Sequence, residues 1–213
     1  MDLYIIGAGD VGGYIAYNAN EKQDYNIMGF IDDNPQKWGN LVYGFKVLGG
    51  VDILEDIKED IAVVIAISSP TVKEIIYNKI KHYTNISFPN FVHSTVWLGK
   101  DARLGIGNIL YPGSTINFET TIEDFVIINM NSSIGHNCRF ERFSTVSPSV
   151  SCGGFTVLKK GAFLGINSTT IQSTMIGEYA VVGAGSVVIK NVPERVTVVG
   201  NPARVLPNKN IQS

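Results

Sequence analysis

Between Val92 and Val188 an apolar residue returns at every sixth position without an insertion, as Val92, Leu98, Leu104, Leu110, Ile116 and onward to Ile176, Val182 and Val188. Of these seventeen positions, fifteen are Val, Leu, Ile or Phe, and the other two are Cys152 and Thr170. A second series lies four places after each member of the first. It runs from Val96 through Ser114, Thr120, Cys138 and Ser168 to Val192 and holds only small residues. A six-residue period suits neither an amphipathic helix nor an isolated strand; it is the mark of a hexapeptide parallel β-helix. Each hexad supplies a short strand and a corner. The large apolar side chain points into a narrow prism, and the small residue fits near the corner. Three hexads make one coil, and coils stack at about 4.7–4.9 Å, so the repeat predicts about five to six coils, roughly 25 Å tall. Each coil covers its neighbour, and the end coils require caps.

Before the repeat the pattern changes. LYIIG predicts a buried strand, VGGYIAYNANEK a helix, NIMGFID a second strand, IAVVIAI a third, and PTVKEIIYNKIKHY a helix with Pro at its start. Strands alternating with helices predict a parallel sheet with crossover connections. The expected organisation is an α/β, Rossmann-like domain over 1–88 and an all-β domain over 89–213, with the hinge near Ser87 to His93.

The first strand runs into Gly7-Ala8-Gly9-Asp10-Val11-Gly12, a G-x-G-x-x-G turn that opens a helix. Gly7 allows the tight turn, and Gly9 lets a phosphate approach backbone amides at the helix N-terminus. Asp32 and Asp33 follow about twenty residues later, where a carboxylate can accept ribose hydroxyls. Ser68 and Ser69 lie just past the third strand, at the carboxyl edge where such sheets bind ligands. The alternative is a purely structural glycine turn with polar loops. A full dinucleotide site needs two mononucleotide-binding halves, which this domain is too short to hold; a nucleotide joined to something smaller suits it better.

Composition excludes other classes. A formal net charge of −2, with no charge run, gives no footprint for nucleic acid. No stretch approaches the roughly 20 apolar residues of a membrane span. Met1 leads directly into DLYIIG without a signal-peptide pattern, so the expected location is cytoplasmic. The two cysteines, Cys138 and Cys152, fall on inward positions and read as reduced core residues, and no Cys/His cluster has metal spacing.

The order IIGAGDVG, GFIDDN, IAISSP, NSSIGHNC, FLGINST and GNPARV resembles the sialic-acid O-acetyltransferase and bacterial nucleotide-sugar N-acetyltransferase family, which includes the UDP-4-amino-sugar acetyltransferases. The resemblance covers essentially the whole chain. It implies a left-handed β-helix, a homotrimer, acetyl-CoA held between neighbouring subunits, and the nucleotide end of the sugar on the N-terminal domain. The implied reaction is acetyl transfer to the amine of a 4-amino-4,6-dideoxy type sugar, serving glycan or lipopolysaccharide assembly. The alternatives are an O-acetyltransferase of the sialic-acid type and a decayed homologue that only binds ligand.

Acetyl transfer to an amine needs a proton acceptor, and an imidazole, with an unperturbed pKa of about 6.5, suits that task. Of His82, His93 and His136, the first two fall on a helix end and the domain junction. His136 lies mid-repeat, off the inward series, and matches the family's catalytic histidine. Two departures accompany it. The residue that follows is usually Asp or Glu in related N-acetyltransferases and is Asn137 here, and a second histidine that touches the acetyl group is replaced by Thr145. Glu141 is left open as a substitute carboxylate. The resemblance further implies that the backbone of Gly154 faces the thioester oxygen, that Ile166, Gly183 and Ala184 flank the pantetheine arm, and that Lys190 and Arg204 face CoA phosphates.

Overall fold

The computed structural model describes residues 1–18 and 25–207. The chain divides into two compact units, Met1–Phe91 with Ile106–Asn108, and Val92–Gly105 with Ile109–Ser213.

In the first unit, strand β1 (Asp2–Ile6) leads through the glycine turn into α1 (Asp10–Asn18) and then β2 (Asn26–Ile31). The last four residues of the predicted first helix, 19–22, lie outside the described residues. A short antiparallel pair follows, β3 (Leu41–Val42) and β4 (Phe45–Gly49), joined by Tyr43 and Gly44, both at positive φ. A two-residue link with both φ values positive is the favoured hairpin connection. Then come β5 (Ile61–Ile65), α2 (Pro70–Ile80) and β6 (Ile86–Ser87). The sheet order is β3-β4-β2-β1-β5-β6, with every contact parallel except β3 to β4. The parallel part has the order 3-2-1-4-5 of nucleotide-binding sheets. Its central strands are buried on both faces: Leu3, Ile5, Phe30, Ile31, Ala62, Val63 and Val64 are all 0% exposed. That is why their sequences read as continuous apolar runs rather than as alternation.

In the second unit the six-residue period becomes three parallel sheets, visited in rotation. One holds Trp97–Leu98, Thr115–Ile116, Ser133–Ile134, Ser151–Cys152, Thr169–Thr170 and Val187–Val188. The second begins at Arg103–Leu104, and the third contains Ile109–Leu110 and Ile127–Ile128. Within the repeat, partners across each sheet are eighteen residues apart, as in Ile116 with Ile134 and Ile134 with Cys152; the last coil is shorter, pairing Val182 with Val198. This is a parallel β-helix. From Leu110 to Val188 the inward series is buried throughout, whereas Leu98, in the outermost coil, is 40% exposed. The small series is buried as well, and its hydroxyls satisfy the corner carbonyls: Thr120 Oγ1 donates to the Gly135 oxygen at 2.9 Å and Thr156 Oγ1 to that of Gly153 at 2.7 Å. The other end is closed by an antiparallel turn, Thr197–Val199 against Arg204–Val205.

From Asp101 to Gly185 every sixth residue, at a corner of the coil, has positive φ: Asp101, Gly107, Gly113, Glu119, Phe125, Asn131, Asn137, Phe143 and Ser149 among others. Non-glycine residues there cost of order 1–2 kcal/mol each in isolation. Because the geometry recurs without a gap from Asp101 to Gly185, it is a property of the coil and not a local strain at any one site. Among the described residues no helix is long and apolar enough to cross a membrane, and no group of three or more His, Cys, Asp or Glu could hold a metal ion.

Candidate active site

His136 stands on the edge between the first and second sheets, on the turn that joins Ser133–Ile134 to Arg139–Phe140. The coil length decides its neighbours. Eighteen residues earlier lies Phe118, whose ring stacks on the imidazole at 5.2 Å with the planes 8° apart. Eighteen residues later lies Gly154. Phe155 meets the ring edge-on, at 5.1 Å and 85°. The backbone ties these corners together: Glu119 N–H donates to the Lys100 oxygen, Asn137 N–H to that of Phe118, and Phe155 N–H to that of His136, at 3.0, 3.0 and 2.9 Å.

The imidazole's hydrogen bonds fix its chemistry. Glu119 Oε2 accepts from Asn137 Nδ2 at 2.6 Å, and Asn137 Oδ1 lies 2.8 Å from His136 Nδ1. An ionised carboxylate can only accept, so the amide must turn its NH2 toward Glu119 and its oxygen toward the ring. That oxygen can only accept, so the neutral imidazole carries its proton on Nδ1 and leaves the Nε2 lone pair free. Nε2 faces Gly154, where a Cβ would come within 2.7 Å of it. The Gly154 N–H donates to no group among the described residues. Beside this edge a shallow groove of ≈ 400 Å³ runs over Trp97, Asn117, Ser133, Gly135, Ser151 and Gly153. Only small side chains project along its middle, so an extended chain could lie close to the backbone.

Other residues singled out from the sequence fall elsewhere. Thr145 is 1% exposed, belongs to the third sheet and does not line this groove. Glu141 is bound by Lys159 Nζ at 2.8 Å and by the Lys160 N–H at 3.1 Å, on a different edge from His136, so it does not supply a carboxylate to the imidazole. Ile166 and Ala184 are stacked corners of another edge, where Gly185 N–H donates to the Ile166 oxygen; Ile166 is 56% exposed. Gly183 packs there against Val199, leaving a Cβ only 2.6 Å from its Cγ1. Lys190 and Arg204 line one groove of ≈ 250 Å³ at the C-terminal end. Neither has an acidic partner among the described residues. His82 is exposed and lies against Tyr83, and His93 Nδ1 is 2.9 Å from Thr95 Oγ1.

In the first unit the glycine turn is mainly a packing device. Gly7 has φ +106°, and a Cβ there would come within 2.8 Å of the Ala66 oxygen; one on Gly12 would run into the Gly7 oxygen. Of the three motif glycines only Gly9 faces open space. Asp32 is committed to the turn: Oδ2 accepts from the Ala8 N–H at 3.1 Å and Lys37 Nζ at 2.7 Å, and Oδ1 from the Asn34 N–H at 3.0 Å. Burial pushes its pKa up, but these hydrogen bonds and the Lys37 charge outweigh it and hold the carboxyl below its ordinary value. Asp33 uses Oδ1 for the Val51 N–H at 2.7 Å, and its Oδ2 has no partner among the described residues. Ser68 is exposed. Ser69 caps α2 without a hydrogen bond from its side chain, so its hydroxyl is available at the carboxyl edge of the sheet.

Sequence reasoning missed Phe118, Glu119, Asn117 and Phe155. The signal was available in the coil length: subtracting eighteen from 136 and 137 gives 118 and 119.

Comparison with known proteins agrees with this architecture. Residues 2–80 match the PglD N-terminal domain family. The chain is 32% identical over 222 residues to GDP-perosamine N-acetyltransferase of Escherichia coli O157:H7, covering 96% of each. A stretch of 52 residues is 52% identical to the dTDP-3-amino-3,6-dideoxy-alpha-D-galactopyranose 3-N-acetyltransferase of Aneurinibacillus thermoaerophilus, spanning 24% of this chain and 27% of that protein. Among solved structures, PerB from Caulobacter crescentus in complex with CoA and GDP-perosamine is 25% identical, with a TM-score of 0.88 over 97% of this chain and 98% of that one. The chain is thus one of the acetyltransferases, and within them it belongs to the hexapeptide-repeat family of nucleotide-sugar N-acetyltransferases.

Proposed function

We propose that this protein transfers an acetyl group from acetyl-CoA to the amine of a nucleotide-linked amino sugar of the 4-amino-4,6-dideoxy type. The observation that carries this reading is the free Nε2 of His136, held in one tautomer by Asn137 and Glu119 and facing Gly154, whose backbone N–H has no acceptor among the described residues. In the step, the amine nitrogen attacks the thioester carbonyl and a C–N bond forms. The amine proton passes to Nε2, the C–S bond breaks, and the imidazolium returns its proton to the departing CoA sulfur. The Gly154 N–H stabilises the oxyanion, a role fixed backbone donors perform without reorganisation.

Lys190 and Arg204 face the CoA phosphates, and Ile166, Gly183 and Ala184 border the pantetheine arm. Because the Ile166 edge and the His136 edge are different edges of one coil, the complete cofactor path is formed between protomers of a homotrimer. The coil is left-handed, as the family resemblance implies. Asp33, Gly9 and Ser69 receive the nucleotide end; Gly7, Gly12 and Asp32 shape the turn that presents them. Thr145, enclosed in the single chain, has no part in the step. The enzyme acts in the cytoplasm.

The test is thiol release from acetyl-CoA with GDP-, dTDP- and UDP-linked amino sugars as acceptors. Turnover is expected with at least one, and His136→Ala should lower kcat by roughly 10²–10⁴, the range a positioned acid–base group supplies, with CoA affinity unchanged. Undiminished turnover in the variant would remove His136 from the role of base. CoA binding without thiol release for any acceptor would favour a decayed, ligand-binding homologue.

A further inference from the structure

We infer that Glu119 is a positioning residue for His136: by accepting from the Asn137 amide, it prevents that amide from flipping and so keeps the imidazole in its Nδ1–H form. This rests on the proposed role of His136 as the base.

An asparagine alone does not fix which way its side chain faces. Its amide has an acceptor end and a donor end of nearly equal size. With the oxygen toward the ring, the imidazole must carry its proton on Nδ1, and Nε2 can accept a proton from an amine. With the NH2 toward the ring, Nδ1 becomes the acceptor, the proton moves to Nε2, and the nitrogen facing Gly154 can no longer act as a base. A carboxylate after the histidine would have no such ambiguity; Asn137 does. The ambiguity is removed from one coil below. Glu119 occupies the corner position equivalent to Asn137, eighteen residues earlier, and both adopt positive φ, at 55° each. The stacked corners bring Oε2 to 2.6 Å from Nδ2. Any flip would set the amide oxygen against a carboxylate, exchanging a charge-assisted hydrogen bond for a repulsion.

Glu119 is exposed in the single chain, so water screens its charge and the direct Coulombic pull on the ring is small. The effect is therefore one of orientation. Other charges near the pair do not compete for the amide. The corner below Glu119 carries Lys100 and Asp101, and those above His136 present Gly154 and Phe155, which are uncharged.

A charge swap tests the proposal. Glu119→Gln leaves two amides facing each other, a pair satisfied equally well in either orientation. Adding Asn137→Asp restores a single solution, in which the new carboxylate accepts from both the ring and the amide at position 119. Nitrogen-15 NMR of labelled histidine reads the tautomer of His136 directly and needs no substrate. The wild type is expected to show Nδ1–H, E119Q a mixture, and the double variant E119Q/N137D a return to Nδ1–H. In the transfer assay E119Q should lose about tenfold in kcat, part of the roughly 10²–10⁴ a positioned base supplies, with KM for acetyl-CoA unchanged and the double variant largely restored. A wild-type tautomer in E119Q, or a double variant no better than E119Q in both measurements, overturns the inference. If wild type transfers no acetyl group at all, the tautomer measurement still decides the role of Glu119, while the proposed function fails separately.

Discussion

At the scale of the residue, the site depends on close approach as much as on functional groups. His136 Nε2 reaches the backbone of the next coil only because position 154 has no side chain. Gly154→Ala would place a methyl group within 2.7 Å of that nitrogen and force the ring to tilt. A displacement of this kind costs about 10²-fold in turnover, so the expected result is a large fall in kcat with unchanged CoA affinity and an unaltered melting temperature. The sequence singles out His136 because it lies mid-repeat, off the inward series, and matches the catalytic histidine of the family the chain resembles. Glu119, one coil away, is found only by applying the eighteen-residue coil as well: the six-residue period marks which side chains point inward, and the coil decides which outward side chains touch. Asp32 was legible only as an acid at a strand end. A carboxylate there can face a ligand or its own glycine turn, and only geometry shows that it bonds to Ala8 and Lys37.

At the scale of the element, the repeat was readable nearly to the residue, since a periodic apolar pattern has one packing solution. The inward residues are nearly equivalent by composition but not by position. Ile128, 0% exposed in the middle of the stack, should cost about 2–5 kcal/mol on conversion to Ala. Leu98→Ala, in an outermost coil and already 40% exposed, should cost well under half of that in the same denaturant titration. The β3–β4 hairpin was harder to read, because β3 is only two residues long and the two strands pair over only two residues each, too few for any alternation to register. Helix α2 contains a costly buried charge. Lys73 is 1% exposed, and desolvation lowers its pKa from 10.5 to about 7. Below pH 7 the ammonium is charged in folded and unfolded states alike, and the burial cost is fully present. Between about pH 7 and 10 only the unfolded chain binds the proton, so stability rises with pH across that window. The melting temperature of the protein should increase from pH 7 to 9, and Lys73→Met should flatten that slope.

At the scale of the whole molecule, the proposed reaction assigns separate tasks to the two units. A parallel sheet with an exposed carboxylate and hydroxyl at its carboxyl edge suits the nucleotide, and a stacked coil with a free imidazole on one edge suits the thioester. The residues proposed to border the CoA arm, Ile166 and Ala184, lie on a different edge from that imidazole, which is the ground for proposing a trimer. Sedimentation should give three chains per particle, and mixing an inactive His136→Ala chain with a chain disabled at Arg204 should restore part of the activity lost in each, since intact sites then arise between unlike neighbours. The most direct test of the central claim is a crystal structure of the protein with CoA and an acceptor nucleotide amino sugar. The sugar amine is predicted to lie within about 2.6–3.2 Å of His136 Nε2; an amine bound beyond reach of that nitrogen, against some other polar group, would contradict the account.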